Sequence, residues 1–324
     1  RCEMKYKTYN CNSFNIYTIK TDRFKTSHLE VIFKNVLKKE EIGTYSFLAD
    51  MLSEGCKKYP RKKDLITRFE ELYKIVIYAS TMRVGNVIDL HVSLDFINPE
   101  YIEDEGYIED VIKTLFEVIL NPNVCNDEFD LKTFNIVKER LRREINSLKE
   151  NPVKQSIKEA IKTMDSNSPT SYEILGTIEE LENITPAKLY NAYKSLRKNF
   201  KVDVFLIGNL DMDNVASLIK KYFKNRYIVS DNFEVMVDNK ETKKVKEKAM
   251  KSDNIQTNLV MLFNLKNLSE LEKNITLNCF NYLYGSGGLT SKLYKSIREE
   301  NSLCYAINSM YLKYDKLLMV QISL

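Results

Sequence analysis

The sequence predicts an α+β protein built from two homologous domains. Each domain is expected to be a mostly antiparallel sheet with helices packed on one face, the second being truncated. Three pairs of blocks align when the chain is compared with itself at an offset of 230 residues: 29–33 with 259–263, Gly55 with Gly285, and 87–94 with 317–324. Because each pair is the same kind of element in the same order, the repeat indicates a duplicated domain.

The first copy shows a strand, helix, helix, strand, strand pattern. Period-two and period-3.6 apolar spacing predicts these elements in order: strands near 13–19 and 28–34, helices at 42–54 and 62–74, and strands near 75–82 and 86–96. In the first helix, Ile42, Tyr45, Leu48 and Leu52 share one face, and Gly55 ends the helix.

The chain then becomes mostly helical. The predicted elements are helices at about 106–119, 127–149, 153–164 and 186–197, a strand at 201–207, and a helix at 212–224. Asn151 and Pro152 break the long helix, and Asp211 is the expected N-cap of the last one.

Domain boundaries follow from the repeat and from a charged run without apolar periodicity. They are an N-terminal domain at 1–228, a linker at 229–250 and an incomplete C-terminal domain at 251–324. The second copy stops at Leu324, the equivalent of Leu94, so the counterpart of residues 95 to about 228 is missing from it.

Composition excludes several classes of function. An apolar content of 44% with 29% charged residues is typical of a folded globular protein. No run approaches the roughly 20 apolar residues of a membrane span, and a net charge of +4 is too small to indicate nucleic-acid binding. The six cysteines show no Cys-x-x-Cys spacing, which favours reduced thiols in a cytoplasmic protein.

Residues 46–52 read Ser-Phe-Leu-Ala-Asp-Met-Leu and resemble a zinc-peptidase helix, His-Phe-Leu-Glu-His-Met-Leu. In that motif two histidines one turn apart bind Zn²⁺ and the glutamate is the general base for the bound water. Ser46, Ala49 and Asp50 replace all three. The only two histidines of the chain are 63 residues apart, so no helix presents them as a metal-binding pair.

A second motif lies in the C-terminal part. Residues 287–294 read Gly-Gly-Leu-Thr-Ser-Lys-Leu-Tyr, and Arg298 and the segment Leu-Cys-Tyr-Ala at 303–306 follow. With the altered helix, these residues resemble the pitrilysin/insulinase family of zinc peptidases, whose fold is that of the mitochondrial processing peptidase. The match is to half-length bacterial chains that work as unequal pairs, one chain holding zinc and the other lacking the motif.

The resemblance implies roles for individual residues. Arg298 and Tyr305 would bind substrate, with Gly287 and Gly288 as the glycine turn at the rim of the substrate chamber. Glu144 corresponds to the distal carboxylate ligand of active relatives, but without the histidines we expect it to be a solvated helix residue. Taken singly, Arg298 would be a surface helix residue and Tyr305 a core aromatic.

The predicted function is therefore that of a non-catalytic, substrate-binding subunit of a heterodimeric zinc endopeptidase. The resemblance implies a zinc-bearing paralogous partner, a peptide substrate, no metal in this chain, and peptidase activity only in the complex. Two alternatives remain open: a peptide-binding or scaffolding protein without a protease partner, and an active peptidase with unorthodox ligands.

Overall fold

The computed structural model describes residues 6–224, 234–237, 239–240, 244–251 and 255–324. They form two compact units. Unit 1 comprises the described residues of Arg1–Arg83, Val87–Arg142 and Glu173–Phe233, and unit 2 those of Val84–Asn86, Arg143–Tyr172 and Glu234–Leu324.

The strands are β1 Tyr6–Asn10, β2 Asn15–Lys20, β3 Thr26–Val36, β4 Val76–Val84, β5 Val87–Ile97, β6 Val124–Cys125, β7 Glu128–Phe129, β8 Lys201–Gly208, β9 Asn258–Asn264, β10 Ala306–Leu312 and β11 Leu317–Ser323. The α-helices are α1 Ile42–Leu52, α2 Lys62–Glu71, α3 Tyr107–Leu120, α4 Leu131–Glu150, α5 Pro152–Asp165, α6 Ile178–Glu182, α7 Pro186–Asn199, α8 Met212–Tyr222 and α9 Leu277–Asn281. Three further stretches of the described chain are π-helical: Glu272–Thr276, Tyr282–Ser286 and Tyr294–Glu299.

The α+β prediction is confirmed. The sheet of unit 1 has the strand order β1-β2-β8-β3-β5-β4. β3 pairs antiparallel with both β5 and β8, and β2 pairs parallel with β8. Helices α1 and α3 contact β5, and α8 contacts β2. Every residue of α1 except Asp50 is buried.

Local signals set the helix ends where the sequence predicted them. The Asn151 side chain accepts a hydrogen bond from the Lys154 amide at 3.0 Å, and Pro152 occupies the first turn of α5. Asp211 likewise caps α8 by accepting from the Asn214 amide at 3.0 Å. Sequence reasoning missed β1, α6 and the β6–β7 hairpin, since these elements are short and carry little periodicity.

Unit 2 repeats the core of unit 1. Its strand order β10-β11-β9 corresponds to β4-β5-β3 at the 230-residue offset. Leu29 faces Leu94 in the β3–β5 pair, whereas its counterpart Leu259 faces Ile322, the counterpart of Val92, so the two registers differ by two residues. The equivalent strands pair antiparallel in both copies, which supports the duplication.

The two copies differ in how deeply β3 and its counterpart β9 are buried. Leu29, Val31 and Phe33 on β3 are fully buried, whereas the aligned side chains on β9, Leu259 and Phe263, are exposed. Among the described residues of unit 2, no strand corresponds to β8 beside β9.

Two segments that lie within the expected N-terminal domain, Val84–Asn86 and Arg143–Tyr172, are grouped with unit 2. For Arg143–Tyr172 the physical reason is that α5 packs against β9. Residues 229–233, 238 and 241–243 of the predicted linker lie outside the described residues.

Candidate functional site

Ser46 stands where the first zinc-binding histidine of the motif would be, and its side chain is buried and hydrogen-bonded within the protein. Its side chain is buried between α1, β4 and the segment that precedes α6. The hydroxyl donates to the carbonyl of Ile174 at 2.5 Å and lies 2.6 Å from the hydroxyl of Thr81, which therefore donates to it. Ser46 thus uses its hydrogen-bonding capacity within the protein.

The other two motif positions, Ala49 and Asp50, also have structural surroundings in place of a metal. Ala49 is buried and brings no polar group. The Arg140 guanidinium on α4 donates to Asp50 at 3.1 Å and to Glu54, one turn further along α1, at 2.8 Å. Burial raises the pKa of Asp50 above its ordinary value, and the charge of Arg140 opposes this shift. An arginine therefore supplies the positive charge where the motif would have metal ligands.

Glu144 lies one helical turn after Arg140 and is exposed to solvent. It belongs to the part of α4 that is assigned to unit 2. Within the described ranges, no group of three or more histidine, cysteine, aspartate or glutamate side chains could hold a metal ion.

The two histidines have carboxylate partners on the sheet of unit 1. His28 Nδ1 lies 2.7 Å from Asp95 Oδ1, and His91 Nδ1 lies 2.9 Å from Glu30 Oε1. The histidines are far apart in sequence, but β3 and β5 are neighbours, so both occupy the same sheet.

Arg298 and Tyr305 lie side by side in unit 2. Arg298 is in the π-helical stretch Tyr294–Glu299, and its guanidinium carbon lies 4.9 Å from the ring centroid of Tyr294 and 5.4 Å from that of Tyr305. The neighbouring Ile297 packs against a small core formed by Leu293, Val320 and Ile322, which leaves Arg298 at the surface side of its helix.

The polar groups of this pair are available. Tyr305 is 70% exposed and directly precedes β10, and its backbone N–H donates to the carbonyl of Ser323 on β11 at 2.9 Å. No residue in the described part of the chain hydrogen-bonds to the guanidinium of Arg298 or to the hydroxyl of Tyr305. Cation–π contacts hold the two side chains together without using their N–H and O–H donors.

The glycine turn precedes this pair along the chain. A Cβ on Gly287 would lie 2.5 Å from the carbonyl oxygen of Tyr282, and Gly288 has a φ of +62°. Both positions therefore require glycine, for space and for the left-handed backbone respectively.

The C-terminal half of the chain also matches a known sequence family. The family described as "Peptidase M16 inactive domain" matches residues 183–324. The "Probable inactive metalloprotease YmfF" of Bacillus subtilis strain 168 is 26% identical over 309 residues, which are 94% of this chain and 71% of that protein.

Residues 183–324 thus match the M16 peptidase family, and nearly the whole chain is similar to an inactive metalloprotease homologue of that kind. This is the pitrilysin/insulinase family that the motifs resemble. A conserved protein from Enterococcus faecalis V583 superposes with a TM-score of 0.91 at 22% identity, covering 98% of this chain and 75% of that one. The peptidase M16 inactive domain from Pseudomonas fluorescens gives a TM-score of 0.75 at 17% identity, covering 99% and 74%.

The structure shows two partners of motif residues that sequence reasoning missed: Tyr294, which contacts Arg298, and Arg140, which pairs with Asp50. Tyr294 could have been found, because residues four apart share a helix face and it precedes Arg298 by four. Arg140 has no such local signal, since it is 90 residues from Asp50. Among the described helices, none combines the length and the apolar composition of a membrane span.

Proposed function

We propose that this chain is the non-catalytic, substrate-binding subunit of a two-chain zinc endopeptidase. In this assembly a paralogous M16 chain holds the zinc ion, and Arg298 and Tyr305 act in trans on the peptide bound there. The observation that carries the proposal is the Arg298–Tyr305 pair, in which Tyr305 is exposed and Arg298 half-buried, and whose donors have no partner among the described residues.

The chemistry of the pair suits peptide hydrolysis. A guanidinium and a phenol both donate hydrogen bonds to a carbonyl oxygen, and such donors are most effective where negative charge develops during hydrolysis. The aromatic rings of Tyr294 and Tyr305 flank the guanidinium, so little side-chain freedom remains to be lost when the pair binds.

The motif helix supports a division of labour. Ser46 is hydrogen-bonded to Ile174 and Thr81, and Asp50 is paired with Arg140. These side chains are committed to structure, so the proposal assigns zinc and its general base to the partner. It includes a cytoplasmic location, in keeping with the described cysteines, which are free thiols: Cys11, Cys56, Cys125, Cys279 and Cys304.

The test is reconstitution with a zinc-bearing M16 paralogue. We expect Arg298→Ala or Tyr305→Phe to lower turnover of a flexible peptide by about ten- to a thousandfold, the scale of losing one oxyanion donor. Lys295→Ala is the matched control, because it removes an exposed cation from the same π-helical stretch. Size-exclusion chromatography verifies that each variant still assembles.

Wild-type turnover for both variants in an intact complex would refute the catalytic role of the pair. A chain that binds peptide but joins no zinc-bearing paralogue would instead establish the alternative, a peptide-binding or scaffolding protein.

A further inference from the structure

An open cavity of about 570 Å³ lies between the start of α3 and the start of α8 in unit 1. This volume is within the range of roughly 300–1,000 Å³ that is common for binding clefts. Part of the wall is apolar and includes Ile108 and Leu210. We name the cavity the acidic groove and define it by the four carboxylates that line it: Glu103, Asp104, Glu105 and Asp211.

The carboxylates of the acidic groove have no cation beside them in the cavity. Glu103 and Glu105 are exposed, and neither has a hydrogen-bond or ion-pair partner among the described residues. Asp104 and Asp211 each accept one backbone N–H, at 2.9 and 3.0 Å. The described residues that line the groove include no lysine, arginine or histidine. The groove is therefore open to a positively charged group from outside the chain.

The apolar wall indicates what kind of cation fits. Calcium and magnesium ions are bound by shells of oxygen ligands, whereas a lysine packs its aliphatic stem on apolar surface and keeps its ammonium group at the polar rim. The combination of Ile108 and Leu210 with exposed carboxylates matches a lysine-rich segment.

The same unit carries such a segment at its surface. Residues 57–63, here named the basic segment, read Lys-Lys-Tyr-Pro-Arg-Lys-Lys, and all five cations are exposed. Two of the five have carboxylate partners within the chain. Lys57, Lys58 and Lys63 have none among the described residues. Their charges are available to a partner molecule.

The acidic groove and the basic segment lie at opposite ends of α3. Glu103 and Glu105 stand just before the helix, whereas the backbone N–H of Lys57 donates to the carbonyl of Asn121, the residue after the helix, at 2.8 Å. The 14 residues of α3 separate the two ends by about 20 Å. No side chain bridges that distance, so the basic segment does not fill the groove of its own chain.

We propose that the basic segment of one copy of this chain docks into the acidic groove of a second copy, so that the protein associates head to tail. Charge complementarity between the two surfaces selects this occupant. Because the two surfaces differ, the contact is heterologous, and every bound copy leaves one groove and one basic segment open for the next copy. This association requires neither zinc nor the zinc-bearing partner, so it goes beyond the proposed function.

The first test is sedimentation velocity of the full 324-residue chain over a range of protein concentrations. We expect oligomers that grow with concentration in about 20 mM sodium chloride, and an association at least about tenfold weaker in about 500 mM, since salt screens contacts between exposed charges. A chain that stays monomeric at low salt would overturn the proposal.

The second test reverses the charge of each surface separately. One variant combines Glu103→Lys with Glu105→Lys, and the other combines Lys57→Glu with Lys63→Glu. Each should weaken self-association by about a hundredfold or more, because like charges then face each other. None of the four side chains bonds to a described residue, so the fold should survive, and circular dichroism checks this.

The matched control is Glu247→Lys with Glu299→Lys, which makes the same charge change at exposed positions of unit 2 and should associate as the wild type does. If a charge-reversed variant is unfolded, glutamine at the same two positions takes its place. Association that is unchanged in either reversed variant, or lost equally in the control, would refute these surfaces.

Mixing the two charge-reversed variants decides the head-to-tail arrangement. The first keeps an intact basic segment and the second an intact groove, so together they should form a complex of two chains that grows no further. Absence of that complex, or growth beyond two chains, would overturn the arrangement.

Discussion

Replacing Arg140 by methionine tests whether this arginine holds α1 against α4 where zinc peptidases have a metal. The variant keeps most of the side-chain volume but removes two charge-assisted hydrogen bonds, to Asp50 at 3.1 Å and to Glu54 at 2.8 Å. Such bonds contribute about 1.5–3 kcal/mol each when buried, and less when exposed. The exposed side-chain fractions are 44% for Arg140, 30% for Asp50 and 12% for Glu54. We therefore expect the free energy of unfolding to fall by about 2 kcal/mol in total.

The assay is urea unfolding followed by circular dichroism, with a thermal scan beside it. A loss of this size should lower the melting temperature by about 4–8 °C for a unit of this length. Arg142→Met is the control on the same helix, because among the described residues Arg142 pairs with the surface carboxylates of Glu139 and Glu182. It should cost less than about 1 kcal/mol.

Two further measurements make the reasoning refutable. Adding Asp50→Asn to Arg140→Met should recover part of the loss, since it removes a carboxylate left without its counter-charge. Burial raises the pKa of Asp50, so the Arg140→Met variant should also regain stability as the pH falls through that pKa and Asp50 becomes neutral. Equal losses for Arg140→Met and Arg142→Met, or no recovery by either route, would show that this network does not hold the helices together.

Three other predictions concern single side chains. Ser46→His should not restore zinc binding, and stoichiometric zinc in an elemental analysis would contradict this. The substitution should lower the free energy of unfolding in urea by about 1–3 kcal/mol, because the larger side chain overpacks a buried site and the hydrogen bond to Ile174 is lost. Glu30→Gln should destabilise the chain at pH 7 but not near pH 3: the folded pKa of Glu30 is lowered from 4.5, so its stabilisation is present above that value and is lost as the pH falls through the folded pKa. A constant difference across that range in urea midpoints would refute it. Gly288→Ala should lower the free energy of unfolding by about 1 kcal/mol through backbone strain alone, since the φ of Gly288 is +62° and nothing lies within 4 Å of an added Cβ. An unchanged urea midpoint would contradict this prediction.

Much of the fold follows from local patterns in the sequence. Apolar periodicity located α1, the β3–β5 strands and the long helix that ends at Asn151, because spacing along a single element decides which face it buries. The 230-residue repeat likewise anticipated that β9 and β11 would pair as β3 and β5 do. The loss of the zinc ligands at Ser46, Ala49 and Asp50 is visible in the sequence alone.

The partners of those residues were decided only by the tertiary structure. Arg140 reaches Asp50 across 90 positions, and residues 143–172 join unit 2 because α5 packs on β9. Glu30, Asp89 and Asp203 come to one face of the unit 1 sheet from three strands whose order in the sheet differs from their order in the chain. Sequence periodicity states which face of an element is apolar, but side chains meet across elements only through strand order and register, which depend on the packing of the whole unit.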